Sequence, residues 1–109
     1  MVGYSAGEVV LIAFPFTDGA GVKRRPALVL LDTGDEDIVV ARVTSQAVAD
    51  PYDAGLDDWR QAGLLLPSIA RLHKVATLQK RLVGGRLGRL SPGDWSRVIL
   101  TLRQTCRTF

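Results

Sequence analysis

The chain has 109 residues, 47% hydrophobic and 23% charged, with 14 basic against 11 acidic side chains and a net charge of +3. That length suits one domain, 1–109, with one modest core, and the composition is that of an ordinary soluble globular chain. No apolar run approaches a membrane span, Met1–Ser5 does not begin a basic-then-apolar leader, and a single cysteine, Cys106, leaves no internal disulfide and fits a reducing, cytoplasmic setting.

Glu8–Phe14 barely alternates, which predicts a strand buried on both faces. The following residues, 15–21, have the Pro, Asp and Gly content of a loop. Pro26–Leu31 reads as a second strand. Pro26 has no N–H to give a ladder, so it fits the first strand position, and it pushes Arg25 toward an extended backbone. A turn at 32–37 leads into a third, β-branched strand, Asp37–Val43, and the two strands form a hairpin. Residues 46–55 read as irregular, and Leu56–Ala62 as a short helical turn closed by Gly63.

Ser68–Leu78 satisfies two patterns. It alternates for much of its length, yet Ile69, Leu72, Val75 and Leu78 also keep a three-residue period. We read it as a strand because Arg81–Gly88, which follows, resembles a strand interrupted by a bulge. Ser91-Pro92-Gly93-Asp94 is a helix start, with Ser91 as cap, Pro92 at the first helical position and Asp94 at the positive dipole end. Trp95, Val98, Ile99 and Leu102 then make one apolar stripe, expected to pack on the sheet. The order predicts a mainly β domain, a small barrel with a short helical insertion and a C-terminal helix.

The chemistry is bounded by what the chain lacks. His73 is its one histidine and Cys106 its one cysteine, neither in a zinc spacing, and phosphate-loop, dinucleotide and serine-hydrolase signatures are missing. No metal or cofactor is implied. Acidic residues gather between Asp32 and Asp58, while basic ones gather at Lys23–Arg25 and from Arg71 to Arg89. Taken singly, an arginine before proline is an ordinary solvated residue and Thr44-Ser45 ordinary turn chemistry. In a hairpin, however, Arg25 and Thr44 fall at the same end of one sheet. A guanidinium can give two parallel hydrogen bonds to a phosphodiester, and RNA brings its own nucleophile, the 2′-hydroxyl. Arginine is too weak an acid to serve readily as a base, so electrostatic stabilisation is its first role.

Gly7–Asp18, then Lys23–Leu30, then Val43-Thr44-Ser45 resemble the MazF/PemK toxins of type II toxin–antitoxin systems, as do the later Pro67–Leu78 and Leu90–Asp94. The resemblance covers nearly the whole chain. It implies an SH3-like β-barrel of the CcdB/PemK type and a homodimer, with no membrane association. The implied activity is metal-independent cutting of single-stranded RNA to 2′,3′-cyclic phosphate and 5′-hydroxyl ends, with a cognate antitoxin as the regulating partner. It maps catalysis onto Arg25 and Thr44, with Ser45 in support. The RNA-contacting candidates are Phe16, Thr17, Lys23, Arg24, Gln46, Arg71 and Lys74. The same fold also serves toxins that poison gyrase by binding alone, which leaves a non-nuclease toxin or adaptor as the alternative. His73 stands where an acidic residue is common in similar sequences, and reads as a partly exposed strand residue.

Overall fold

The computed structural model describes residues 3–15, 22–45 and 50–109. Six strands precede one helix: β1 (Glu8–Pro15), β2 (Val22–Leu31), β3 (Asp37–Thr44), β4 (Asp53–Leu56), β5 (Ser68–Gln79), β6 (Val83–Arg89) and α1 (Pro92–Cys106), with a 3₁₀ turn at Lys80–Leu82. All pairings are antiparallel, in the order β4-β5-β3-β2-β1-β6. The fold is the mainly β one expected, but no ladder joins β4 to β6, so the sheet is not closed into a barrel.

The segment 57–63 lies against β6 instead. A Cβ on Gly63 would stand 2.1 Å from the Leu87 carbonyl oxygen, and one on Gly88 would stand 2.6 Å from the Ala62 carbonyl carbon. Only glycine permits backbones this close. The expected helical insertion is reduced here to turns, and it ends as foreseen. Gly63 has φ +82°, its N–H donates to Arg60 O (3.0 Å), and the Leu64 N–H donates to Trp59 O (3.0 Å), the paired bonds of a Schellman stop. The region expected to be irregular does yield a strand, β4. Four residues including a glycine are too few to show alternation, yet Ala54 and Leu56 are buried.

The sheet buries both faces. The neighbours Val9 and Val10, Ala27 and Leu28, and Val40 and Ala41 fall into two different apolar clusters, which is why the first strand does not alternate. One cluster holds Val98, backed by Trp95 and Leu102, so these three residues of the helical stripe pack on the sheet as expected, while Ile99 belongs to neither cluster. The bulge expected in β6 appears as register shifts against β1. β5 bends more sharply. Its pairing with β3 jumps from Ala41↔Val75 to Arg42↔Arg71, leaving Leu72–Lys74 outside that ladder.

Two carboxylates fasten the frame. Ser91 Oγ accepts from the Asp94 N–H (3.2 Å), as a cap should. The Asp94 carboxylate does more than face the helix dipole. It is buried, accepts the N–H groups of Asp57 (3.1 Å) and Asp58 (2.9 Å), and pairs with Arg97 (3.0 Å). Beyond the end of β2, Asp32 accepts from Tyr4 N–H (2.7 Å) and Gly34 N–H (2.8 Å) and pairs with Lys80 Nζ at 2.9 Å. Chiefly through the Lys80 bond, then the two backbone donors, its pKa is held down to about 2 from the ordinary 3.8. Among the described residues no helix is long and apolar enough to cross a membrane.

Candidate functional site

The site begins with one register. β2 and β3 pair at Ala27↔Arg42. Continued by two residues, that register sets Arg25 across from Thr44. Strand alternation puts Arg25, Arg42 and Thr44 on one face, since each lies an even step from the Ala27↔Arg42 pair. Arg25 is half-buried. Its neighbour on the other side is Ile12 of β1, which is fully buried and gives the arginine stem an apolar wall. Thr44 pairs with Ile69 of β5, so the hydroxyls of Thr44 and Ser45 lie near the start of β5, where Ser68 stands.

Two clefts meet at this point. One, of about 860 Å³, is lined by Lys23, Arg25, Arg42, Arg71, Thr44, Ser45 and Ser68 over an apolar shelf that includes Leu64–Leu66. The other, of about 510 Å³, runs along Ala27, Val40, Val75, Ala76 and Leu78, with Lys74 at its edge. Arg25, Pro26 and Arg42 border both, so the clefts form one continuous groove. Among the described residues, neither lining holds an aspartate, a glutamate or the histidine.

The sequence-predicted residues sort themselves by partner. Arg25, Thr44, Ser45 and Lys23 share the larger cleft, and Lys74 lines the smaller one. Arg71 reaches the larger cleft with its charge already engaged. Its Nε stands 3.1 Å from Asp53 Oδ1 and its Nη2 3.4 Å from Asp50 Oδ2. Arg24 lines neither cleft. Strand alternation turns it from Arg25, and its Nε lies 3.7 Å from where a Cβ on Gly84 of β6 would be. Phe16, Thr17 and Gln46 fall outside the described residues. Arg42, Ser68 and Leu64–Leu66 line the groove without having been assigned to it. Arg42 had one legible signal, its position two residues before Thr44 on the same strand face.

Charge compensation divides the arginines further. Arg71, Arg86 and Arg97 all have carboxylates within 4 Å. Arg25 and Arg42 have none among the described residues. His73 lies 3.8 Å from Asp50 and 4.0 Å from Asp53, against the ring of Tyr52. Asp50, Asp53 and His73 could each turn one ligand atom to a common point. Arg71 already occupies both carboxylates, so the group reads as an ion-pair network. The groove itself offers the guanidiniums of Arg25 and Arg42 beside the hydroxyls of Thr44 and Ser45, while the Ser68 hydroxyl donates to the Leu66 carbonyl oxygen (2.8 Å). Guanidinium and hydroxyl groups together suit a phosphodiester.

Comparisons with known proteins agree with this frame. A model of the PemK-like, MazF-like toxins of type II toxin–antitoxin systems matches residues 5–106. Among solved structures, a chain of the MazE–MazF complex from Deinococcus radiodurans superposes with a TM-score of 0.77 at 22% identity, covering 95% of this chain and 96% of that one. An endoribonuclease in complex with its cognate antitoxin, from a mycobacterial species, gives 0.74 at 19% identity, with 96% of each chain covered. The Mycobacterium tuberculosis toxin MazF-mt6 gives 0.72 at 17%, covering 90% of this chain and 96% of that one. No curated protein matches the chain significantly by sequence. With its sheet, helix and groove accounted for, and with the family match running over residues 5–106, the chain belongs to the PemK-like, MazF-like toxins of type II toxin–antitoxin systems.

Proposed function

We propose that this toxin is an endoribonuclease that cuts single-stranded RNA, with mRNA as its main target, without a metal ion. The observation that carries the reading is that Arg25 and Thr44, just beyond the end of the β2–β3 ladder, line one open groove, with no carboxylate within 4 Å of Arg25 among the described residues. The RNA 2′-hydroxyl gives up its proton to water as its oxygen attacks the adjacent phosphorus. The bond to the 5′-oxygen breaks, leaving a 2′,3′-cyclic phosphate on one product and a 5′-hydroxyl on the other. Arg25 stabilises the negative charge that builds on the phosphate oxygens, and its N–H groups face the leaving oxygen as that oxygen takes up a proton from water. Thr44, with Ser45, holds the phosphate in line through hydroxyl hydrogen bonds. A positioned donor of this kind is worth roughly 100- to 1000-fold in rate.

The same reading makes the protein a cytoplasmic homodimer held in check by a cognate antitoxin. An antitoxin rich in acidic side chains would neutralise Arg25 and Arg42 in the groove and block RNA together. The test is a cleavage assay on long single-stranded RNA in excess EDTA, beside Arg25→Ala, with the product ends mapped. Selective cuts with 5′-hydroxyl ends that vanish in the variant support the proposal. Intact RNA with a well-folded protein points to action by protein binding alone, and equal cutting by both proteins places the site elsewhere.

A further inference from the structure

We propose that Arg42 is a second phosphate-binding residue, gripping the phosphate next to the one held by Arg25, so that the RNA is bound through consecutive phosphates across β2 and β3. The inference rests on the ribonucleic-acid reading of the groove and deepens it.

Position is the first support. Arg42 pairs with Ala27, two residues from Arg25 on the same strand face. Diagonal neighbours on paired strands stand roughly 7–8 Å apart. That separation suits two adjoining phosphates of an extended strand better than two grips on one. Both arginines border the junction of the two clefts, so a strand passing from one cleft to the other crosses them in turn.

The second support is the strain that the position imposes on the free protein. Arg42 lies directly across from Arg71 in the β3–β5 ladder, and like charges in directly opposed positions destabilise a sheet. Arg71 is relieved by Asp53 and Asp50. Arg42 is exposed and has no carboxylate within 4 Å among the described residues. An unrelieved guanidinium on a face that already holds Arg25 and Arg71 is an arrangement that a bound anion improves. Apolar surface beside it, from Val75 and Ala76, offers a bed for the base of the nucleotide whose ribose links the two phosphates.

The test uses a short random-sequence single-stranded RNA, 2′-O-methylated throughout so that it cannot be cut. Its affinity is measured by fluorescence anisotropy over a series of salt concentrations. Arg42→Gln should weaken binding roughly tenfold at low salt, as expected for a charged hydrogen-bond pair. It should also lower the slope of log affinity against log salt by about 0.7, the value of one phosphate contact on a single strand. Arg42→Lys should keep the slope but weaken binding, because the two-pronged grip is lost while the charge remains. Circular dichroism checks the fold. Should Arg42→Gln fail to fold, Arg42→Lys decides, and wild-type affinity in that variant overturns the proposal. A folded Arg42→Gln with wild-type affinity and slope overturns it, as does a wild-type protein that does not bind the RNA. Wild-type binding with the expected loss in Arg42→Gln, but no cutting of unmodified RNA, upholds the Arg42 contact and overturns the nuclease reading alone.

Discussion

The two ends of β2 use charge in opposite ways. Just past one end, Asp32 is enclosed by Lys80 and by the N–H groups of Tyr4 and Gly34. Near the other, Arg25 stands in an open groove with no carboxylate within reach among the described residues, and Arg42 on the neighbouring strand is in the same state. Roughly 20 Å of strand separates them, at about 3.3 Å per residue. A charge that serves the fold is surrounded by its partners. On the proposed reading, the charges of the groove are left for a ligand to complete, and the fold tolerates the repulsion meanwhile. Arg86 with Glu8 and Arg97 with Asp94 and Asp57 belong to the frame. The arginines outside the groove that have no carboxylate within 4 Å among the described residues, Arg60 and Arg103 among them, are exposed to solvent, so it is the groove together with the missing partner that sets Arg25 and Arg42 apart.

The sharpest way to break this division is to delete one member from each class. Arg25→Ala should lower RNA cleavage at least 100- to 1000-fold and leave the urea midpoint close to wild type, because no partner is orphaned. Asp94→Ala should do the reverse. The N–H groups of Asp57 and Asp58 and the Arg97 guanidinium lose a buried acceptor, at a cost of about 2–3 kcal/mol in urea unfolding. Cleavage per folded molecule should be unchanged. A destabilised Arg25→Ala, or an inactive but stable Asp94→Ala, would show that the two classes are not distinct.

Acid sharpens the same contrast. The Asp32 carboxyl is held at about 2 against an ordinary 3.8. Folding therefore favours its ionised form. That contribution is complete above about pH 4 and is lost as the pH falls through about 2. Asp32→Asn should accordingly have a lower urea midpoint than wild type at pH 6, and the gap should narrow between about pH 4 and 2. A gap that stays constant over that window would mean that Lys80 and the two backbone donors stabilise the amide as well as the carboxylate.

The fold was more legible than the site. Long apolar strands, the hairpin, the Ser91 cap and the Gly63 stop all leave local marks, because they depend on the periodicity or backbone freedom of adjacent residues. β4 left none, being four residues long. The carboxylate of Asp94 could be placed at a helix start but not on the N–H groups of Asp57 and Asp58, since that contact spans 36 and 37 residues. In the groove, Arg25 and Thr44 were readable because a hairpin register relates them. Whether a given arginine is free was not readable. Arg71 and Arg42 look alike in sequence. They differ because β4 brings Asp53 opposite Arg71, and nothing on the chain near Arg71 announces that strand.

The finest probe is therefore a variant that moves one arginine part of the way from the first class to the second. Asp50 is the more exposed of the two carboxylates on Arg71, at 3.4 Å from its Nη2, while Asp53 is buried. Asp50→Asn leaves the Asp53 contact in place and removes one negative charge from the margin of the groove. Loss of a partly exposed ion pair should change stability by less than about 1 kcal/mol. RNA affinity should rise about two- to threefold at low salt, and the gain should vanish near 1 M salt, where charges are screened within about 3 Å. A fall in affinity would carry the opposite lesson: that the carboxylates aim Arg71 at a phosphate rather than withhold it, and that a paired arginine in this protein can serve the ligand as well as the frame.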